Sequence, residues 1–171
     1  MQIKDRPEFK RKTPVLTFGP DESVASAVKV MSERNFGATV IVNPDNTPLG
    51  IVTERDFMRR LLDKGLDPHT TKLGDIMTTQ LKTARADDDL LSWMQQMSND
   101  RFRHLPVVDE QGKLISMMSQ GDFVAYTWPQ LMNRVTETAK AAFDVNPSIF
   151  IAIGGVIIFM LAVLIMFAAI A

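Results

Sequence analysis

Between residues 13 and 126 the apolar positions change their period in the same order twice. A short extended stretch (Pro14–Phe18, and later Gln80–Ala84) leads into an acidic turn, Asp21-Glu22-Ser23 or Asp87-Asp88-Asp89. Side-chain oxygens at such a place accept hydrogen bonds from the free amides of a helix start. Apolar residues then recur at helical spacing over Val24–Arg34 and Leu90–Asp100. A β-rich run follows, Ala38–Val42 or Leu105–Val108, with a turn at Asn43-Pro44-Asp45-Asn46 or Asp109-Glu110-Gln111-Gly112 and a second run over Leu49–Val52 or Leu114–Met118. That second run passes directly into a helix starting near Thr53 or Ser119. The predicted unit is β-α-β-β-α, and the predicted fold class is α+β.

A gapless shift of 66 residues superposes the two copies, bringing Thr17 onto Thr83, Asp21 onto Asp87, Met31-Ser32 onto Met97-Ser98, Phe36 onto Phe102 and Asp56-Phe57 onto Asp122-Phe123. Coincidence on this scale at one offset marks an internal duplication. The units are expected at 13–65 and 76–126, with a linker at 66–75. One copy cannot bury both faces of its helices, whereas two pseudo-symmetric copies packed through their sheets can.

After residue 126 the pattern changes character. Residues 127–148 read as a connector helix opened by Pro129, with Leu131, Val135, Thr138, Ala142 and Val145 forming a short seam and Pro147 breaking the run. From Ile149 to Ala171 there is no charged or polar side chain. A helix of that length reaches about 35 Å, enough to cross a hydrocarbon core. The expectation is a single-pass C-terminal anchor in a lipid bilayer, with residues 1–148 held in the cytoplasm by their basic residues. Residues 1–12, with Lys4, Arg6, Lys10, Arg11 and Lys12, form a basic N-terminal segment that either touches anionic lipid or is simply solvated.

Composition narrows the chemistry. With 171 residues and a formal net charge of −1, the chain has no general field for collecting nucleic acid. It contains no cysteine, which excludes thiolate sites, and only two histidines, His69 and His104, far apart in sequence, so a histidine-rich metal centre is not expected. No nucleophile series, Gly-rich phosphate loop or paired buried carboxylate stands out, and no enzymatic activity is expected.

The remaining candidates are the spaced pairs Thr53/Asp56 and Ser119/Asp122. A strand turning directly into a helix presents free amides at one spot, and a carboxylate three residues after a hydroxyl falls on the same face. Two readings stay open: capping boxes that bind nothing, or sites in which the carboxylate accepts ribose hydroxyls and the hydroxyl faces a phosphate.

The segments Gly50-Ile51-Val52-Thr53-Glu54-Arg55-Asp56 and Ser116-Met117-Met118-Ser119-Gln120-Gly121-Asp122, with Gly74-Asp75-Ile76-Met77-Thr78 and Arg103-His104-Leu105-Pro106-Val107-Val108-Asp109, resemble a tandem cystathionine-β-synthase (CBS) domain pair, or Bateman module, over residues 13–126. The resemblance implies an adenosine nucleotide (AMP, ADP or ATP, with Mg2+ accompanying ATP) as regulatory ligand. It assigns ribose to Asp56 and Asp122 and phosphate to Thr53 and Ser119. Arg55, Arg103 and His104 are the candidates for phosphate neutralisation, and Val15, Ala38 and Leu81 for an apolar adenine slot. The first copy is the more regular, whereas the second has the richer cationic supply. Ser116 stands where glycine is usual, which would tighten a loop and weaken the second site.

Three functions follow. The preferred one is a membrane-anchored nucleotide sensor, a homodimer or higher homo-oligomer, that signals to the membrane or to a membrane-protein partner. The alternatives are an oligomeric channel or channel subunit whose anchors line a pore, and a membrane adaptor with vestigial nucleotide sites.

Overall fold

The structure, a computed structural model, describes residues 1–11 and 14–125, together with positions 132, 135–138, 140, 151 and 154–161. It divides into two units, Met1–Val124 and Ala125–Ala171. The first holds both copies of the duplication as two three-stranded sheets. In the first copy β1 (Thr17–Phe18) runs parallel to β2 (Ala38–Val42), with α2 (Val24–Arg34) crossing between them, and β2 pairs antiparallel with β3 (Pro48–Thr53). In the second, β4 (Ala84–Arg85), α5 (Leu90–Asn99), β5 (His104–Val108) and β6 (Leu114–Ser119) repeat the order. Register repeats too, since Ala38 faces Thr53 as His104 faces Ser119. The predicted β-α-β-β-α unit and the α+β class are therefore present, with the leading strands shortened to two residues each.

The first core is built from Phe18, Val24, Ala27, Ile41, Val52 and Leu61, closed by Leu73 and Ile76 of α4 (Leu73–Ile76). The last two come from the segment leading into the second copy. Leu73 N–H donates to the Glu22 carbonyl and Gly74 N–H to Pro20, while Val24 N–H donates to Thr71. The N-terminus does the same for the second copy: Ile3 N–H donates to Asp88, Lys4 N–H to Ala86, and Leu90 N–H to Met1. Ile3 is fully buried, and α1 (Pro7–Arg11) lies against β6. Residues 1–6 thus occupy on the second copy the place that residues 71–76 occupy on the first. Each copy's leading segment covers its sister.

Exposed charge pairs reinforce both coverings. Lys72 Nζ lies 2.7 Å from Asp21, Lys4 pairs with Asp87, and the N-terminal amine lies 3.3 Å from Asp89. The Lys72 ammonium holds the Asp21 carboxyl below its ordinary value and is itself raised by it; Asp87 raises Lys4. The Ser92 backbone amide, then its hydroxyl and the N-terminal amine, lower Asp89. Stability from the two aspartates is present above their ordinary pKa and lost as pH falls through the lowered native values. That from Lys4 and Lys72 is present below the ordinary lysine pKa and lost as pH rises through the raised ones. Melting temperature should therefore be level from about pH 5 to about 9 as far as Asp21, Lys4 and Lys72 are concerned and fall beyond either end. About 1 M NaCl should shrink both falls, because exposed pairs are screened. Equal falls at low and high salt would contradict this assignment.

The copies also meet at their hairpin turns, where Leu114 N–H donates to the Asn46 carbonyl and Asn46 Nδ2 donates back to the Leu114 carbonyl, both at 2.9 Å. The mirror-image pair cannot form. At the equivalent positions Pro48 has no N–H and Gly112 has no side chain.

After β3 the predicted helix starts as a single α turn, α3 (Glu54–Asp56), and then winds wider as a π-helical stretch, Phe57–Leu62, with Asp63 N–H donating to the Met58 carbonyl at 3.0 Å. The wider winding buries Leu61 and leaves Met58 and Leu62 on the surface.

In the second unit residues 135–138 and 154–161 are helical. Leu131, Ala142 and Val145 of the predicted seam, and most of the span 149–171, lie outside the described residues. Among the described residues no helix is long and apolar enough to cross a membrane.

Candidate functional site: a cationic cleft at the end of the third strand

Thr53 ends β3 and caps α3. Its N–H donates to Asp56 Oδ2 at 2.9 Å and its hydroxyl to the same oxygen at 2.7 Å. Arg60 Nε stands 3.5 Å from Asp56 Oδ1, and Arg60 Nη1 donates to the Ile76 and Met77 carbonyls, both at 2.7 Å. One guanidinium therefore ties the carboxylate to the segment that joins the copies. Asp56 is nearly buried. The capping arrangement is thus real, but it leaves acceptor capacity, because a carboxylate offers about four lone-pair sites. Ser119 and Asp122 repeat it, with Ser119 N–H and hydroxyl donating to Asp122 Oδ2 at 2.6 and 2.7 Å.

In front of Thr53 and Asp56 opens a cleft of about 450 Å³. Its walls come from both copies: Gly37, Ile51, Thr53 to Asp56 and Met58 to Arg60 from the first, Thr78 from the joining segment and Arg101 to His104 from the second. Of the residues singled out from sequence, Thr53, Arg55, Asp56, Arg103 and His104 line this one cleft. Ser119 and Asp122 are paired at the start of the second helix, with Ser119 facing His104 across the strands. Val15, Ala38 and Leu81 do not line the cleft; Ala38 is buried within β2. The apolar side chains that do are Ile51, Met58 and Phe102.

Two expectations need correction. Arg103 and His104 belong by sequence to the second copy, yet they line the cleft of the first, so the cationic supply sits with Asp56. The cause is topological, because the residues entering β5 are brought opposite the end of β3. Ser116, for its part, is not in a loop. It pairs with Val107 inside β6, is fully buried, and its hydroxyl donates to the Phe9 carbonyl at 3.0 Å.

At the matching position Gly50 admits no side chain, since an added Cβ would lie 2.7 Å from Met77 Sδ and 2.9 Å from the Thr78 carbonyl oxygen. Thr78 is bridged to Ile51 at that point. Gly50→Ser should therefore cost about 1–3 kcal/mol by overpacking, read as a lower midpoint in urea denaturation. A neutral result would mean that the Met77–Thr78 segment yields.

Sequence reasoning missed Arg59, Arg60, Arg101 and Phe102. The first two could have been found by stepping four residues from Arg55 and Asp56. Arg101 and Phe102 had no such signal, since only the pairing of the copies brings them to the cleft.

Comparison with known proteins gives the same outline. The CBS domain model matches residues 9–63 and 73–128. The mitochondrial CBS domain-containing protein CBSX3 of Arabidopsis thaliana is 42% identical over 108 residues, covering 61% of this chain and 52% of that protein. The chain thus spans about half the length of that relative. A solved CBS-domain containing protein from Agrobacterium tumefaciens is 31% identical with a TM-score of 0.66, over 74% of this chain and 99% of its own. The CBS domain pair of MJ0100, solved with 5'-methylthioadenosine and S-adenosyl-L-methionine, shares the fold at 22% identity and a TM-score of 0.66, over 76% of this chain and 98% of its own. With a duplicated unit matched in both halves and the two-sheet architecture in place, the chain belongs to the CBS-domain family.

Proposed function

We propose that this chain is a regulatory module that binds an adenosine nucleotide in the cleft before Thr53 and Asp56 and passes the change to a membrane or a membrane-protein partner. The observation that carries the reading is the convergence of a nearly buried carboxylate with arginines from both copies in one cleft. The carboxylate suits the two hydroxyls of a ribose, and the guanidinium groups suit phosphates. In this reading Asp56 holds ribose, Arg55, Arg103 and His104 face phosphate, and Mg2+ arrives on the triphosphate of ATP. Among the described residues no three carboxylate or imidazole side chains converge on a metal. Ser119 and Asp122 repeat the hydroxyl–carboxylate pair in the second copy. The protein acts by binding rather than by catalysis.

Anchoring rests on composition: residues 149–171 have no charged side chain, and Ile151, Ile158 and Phe159 within the span are exposed apolar side chains. Such a surface suits hydrocarbon. The chain would be single-pass, with residues 1–148 on the cytoplasmic side, and would associate as a homodimer or higher oligomer.

Calorimetric titration of the full chain in detergent micelles with AMP, ADP and ATP tests the reading. Saturable heat with any of the three supports it. Absence of heat and of thermal stabilisation with all three would overturn it. Alkaline carbonate extraction of membranes tests the anchor separately, since an integral chain stays in the pellet.

A further inference from the structure

Five arginines line the cleft, Arg55, Arg59, Arg60, Arg101 and Arg103, against two carboxylates, Glu54 and Asp56. Among the described residues only Arg60 of the five pairs with a carboxylate. The 66-residue shift shows what stands at the same places in the other copy: Gly121 for Arg55, Ala125 for Arg59, Tyr126 for Arg60, Asn35 for Arg101 and Gly37 for Arg103. None of these carries a charge. The duplication has therefore diverged at all five arginine positions, while the hydroxyl–carboxylate pairs stay the same.

Arg101 adds a conformational sign. Its φ is 56°, in the left-handed region, and Asn35 has the same φ at the matching position. Asparagine adopts that region at little cost and arginine does not. The fold thus holds a costlier residue where its own other copy uses the easy one, and backbone strain of this kind gathers at ligand sites.

We infer that the two copies are divided in function. The cleft before Asp56 takes one ligand bearing a chain of phosphates, a nucleoside di- or triphosphate, and selects it by phosphate number. Among the described residues the second copy offers no matching cluster of arginines for such a ligand. The adenosine part of this inference rests on the proposed function; the selection by charge rests on the arginines alone. Clustered guanidinium groups reward each added phosphate, and little of that gain survives in high salt, because the arginines are exposed.

The test titrates the full chain in micelles with adenosine, AMP, ADP, ATP and inorganic tripolyphosphate, at low and high NaCl. Affinity should rise along the series from adenosine to ATP, at one equivalent per chain, with the rise flattened by salt. The double variant R101N/R103G installs the residues of the other copy. It should weaken ATP by roughly tenfold per arginine and leave adenosine within about twofold, given the discount for exposure. Circular dichroism checks that it keeps the fold, R101N relieving backbone strain while R103G adds chain freedom. Equal affinity along the series, or two equivalents of ATP per chain, overturns the inference and leaves adenosine binding standing. Tripolyphosphate binding as tightly as ATP at one equivalent keeps the charge selection and overturns the adenosine reading. No binding by any of the five overturns both.

Discussion

Asp56→Asn should weaken nucleotide binding by about a hundredfold, while Asp122→Asn leaves the tightest-binding site in place. The carboxylate already accepts from the Thr53 amide and hydroxyl through one oxygen, and its other oxygen faces Arg60 and the cleft. Two ribose hydroxyls donating to a charged acceptor contribute roughly 1.5–3 kcal/mol each, and asparagine keeps the shape but removes the charge. Asparagine can still accept from the Thr53 amide, so the turn should hold, and circular dichroism of the variant checks that it does. Calorimetry separates the two readings of this spacing. If Asp56 is a helix cap and nothing more, the variant loses a little stability and binds nucleotide as before. If it holds ribose, adenosine itself is lost along with AMP and ATP. Arg60→Lys provides a graded companion, because lysine cannot bridge Asp56 Oδ1 and the Ile76 and Met77 carbonyls at once.

The second large effect lies at the other end of the chain. Ile3→Ala should cost about 3 kcal/mol, in the range for truncating a fully buried aliphatic side chain, and should lower the midpoint of chemical denaturation without touching the cleft. Ile3 stands on the second copy where Leu73 stands on the first, and both are fully buried. An N-terminal segment that was merely solvated would tolerate the change within about 0.5 kcal/mol. Leu73→Ala should match Ile3→Ala in size, since the two segments make the same backbone bonds to the same turns. A large loss for one and none for the other would break the equivalence of the two coverings.

Much of the fold was legible because it is local. The bounds of α2 and β2 follow from Ser23 as an N-cap accepting from the Ser26 amide, and from the short β-rich run that ends at the Asn43 turn. The duplication doubled each such signal. The N-terminal covering escaped notice for a simple reason: the matching segments, 1–6 and 71–76, are offset by 70 residues rather than 66, so a gapless comparison sets them out of register. Ile3 with Leu73 and Asp5 with Asp75 then align, and both aspartates accept from the backbone amide three residues earlier. The π winding after Asp56 left no mark on apolar spacing, because Phe57 and Leu61 stand four residues apart, as in an ordinary α-helix.

What the sequence by itself determined is what neighbours along the chain decide. That includes the β-α-β-β-α unit and its repetition, the hydroxyl–carboxylate pairs at the two strand ends, and the charge-free stretch from 149 onward. Spacing is a local property, and backbone hydrogen bonding converts it into helices and strands with little help from elsewhere. Only the tertiary structure decided which copy holds the cations. Arg101 and Arg103 are far from Asp56 along the chain, and they reach its cleft because pairing the two copies turns the start of β5 toward the end of β3. A site built across a pseudo-symmetric interface takes Asp56 and three arginines from one copy and Arg101 and Arg103 from the other, so its composition cannot be read from either copy alone.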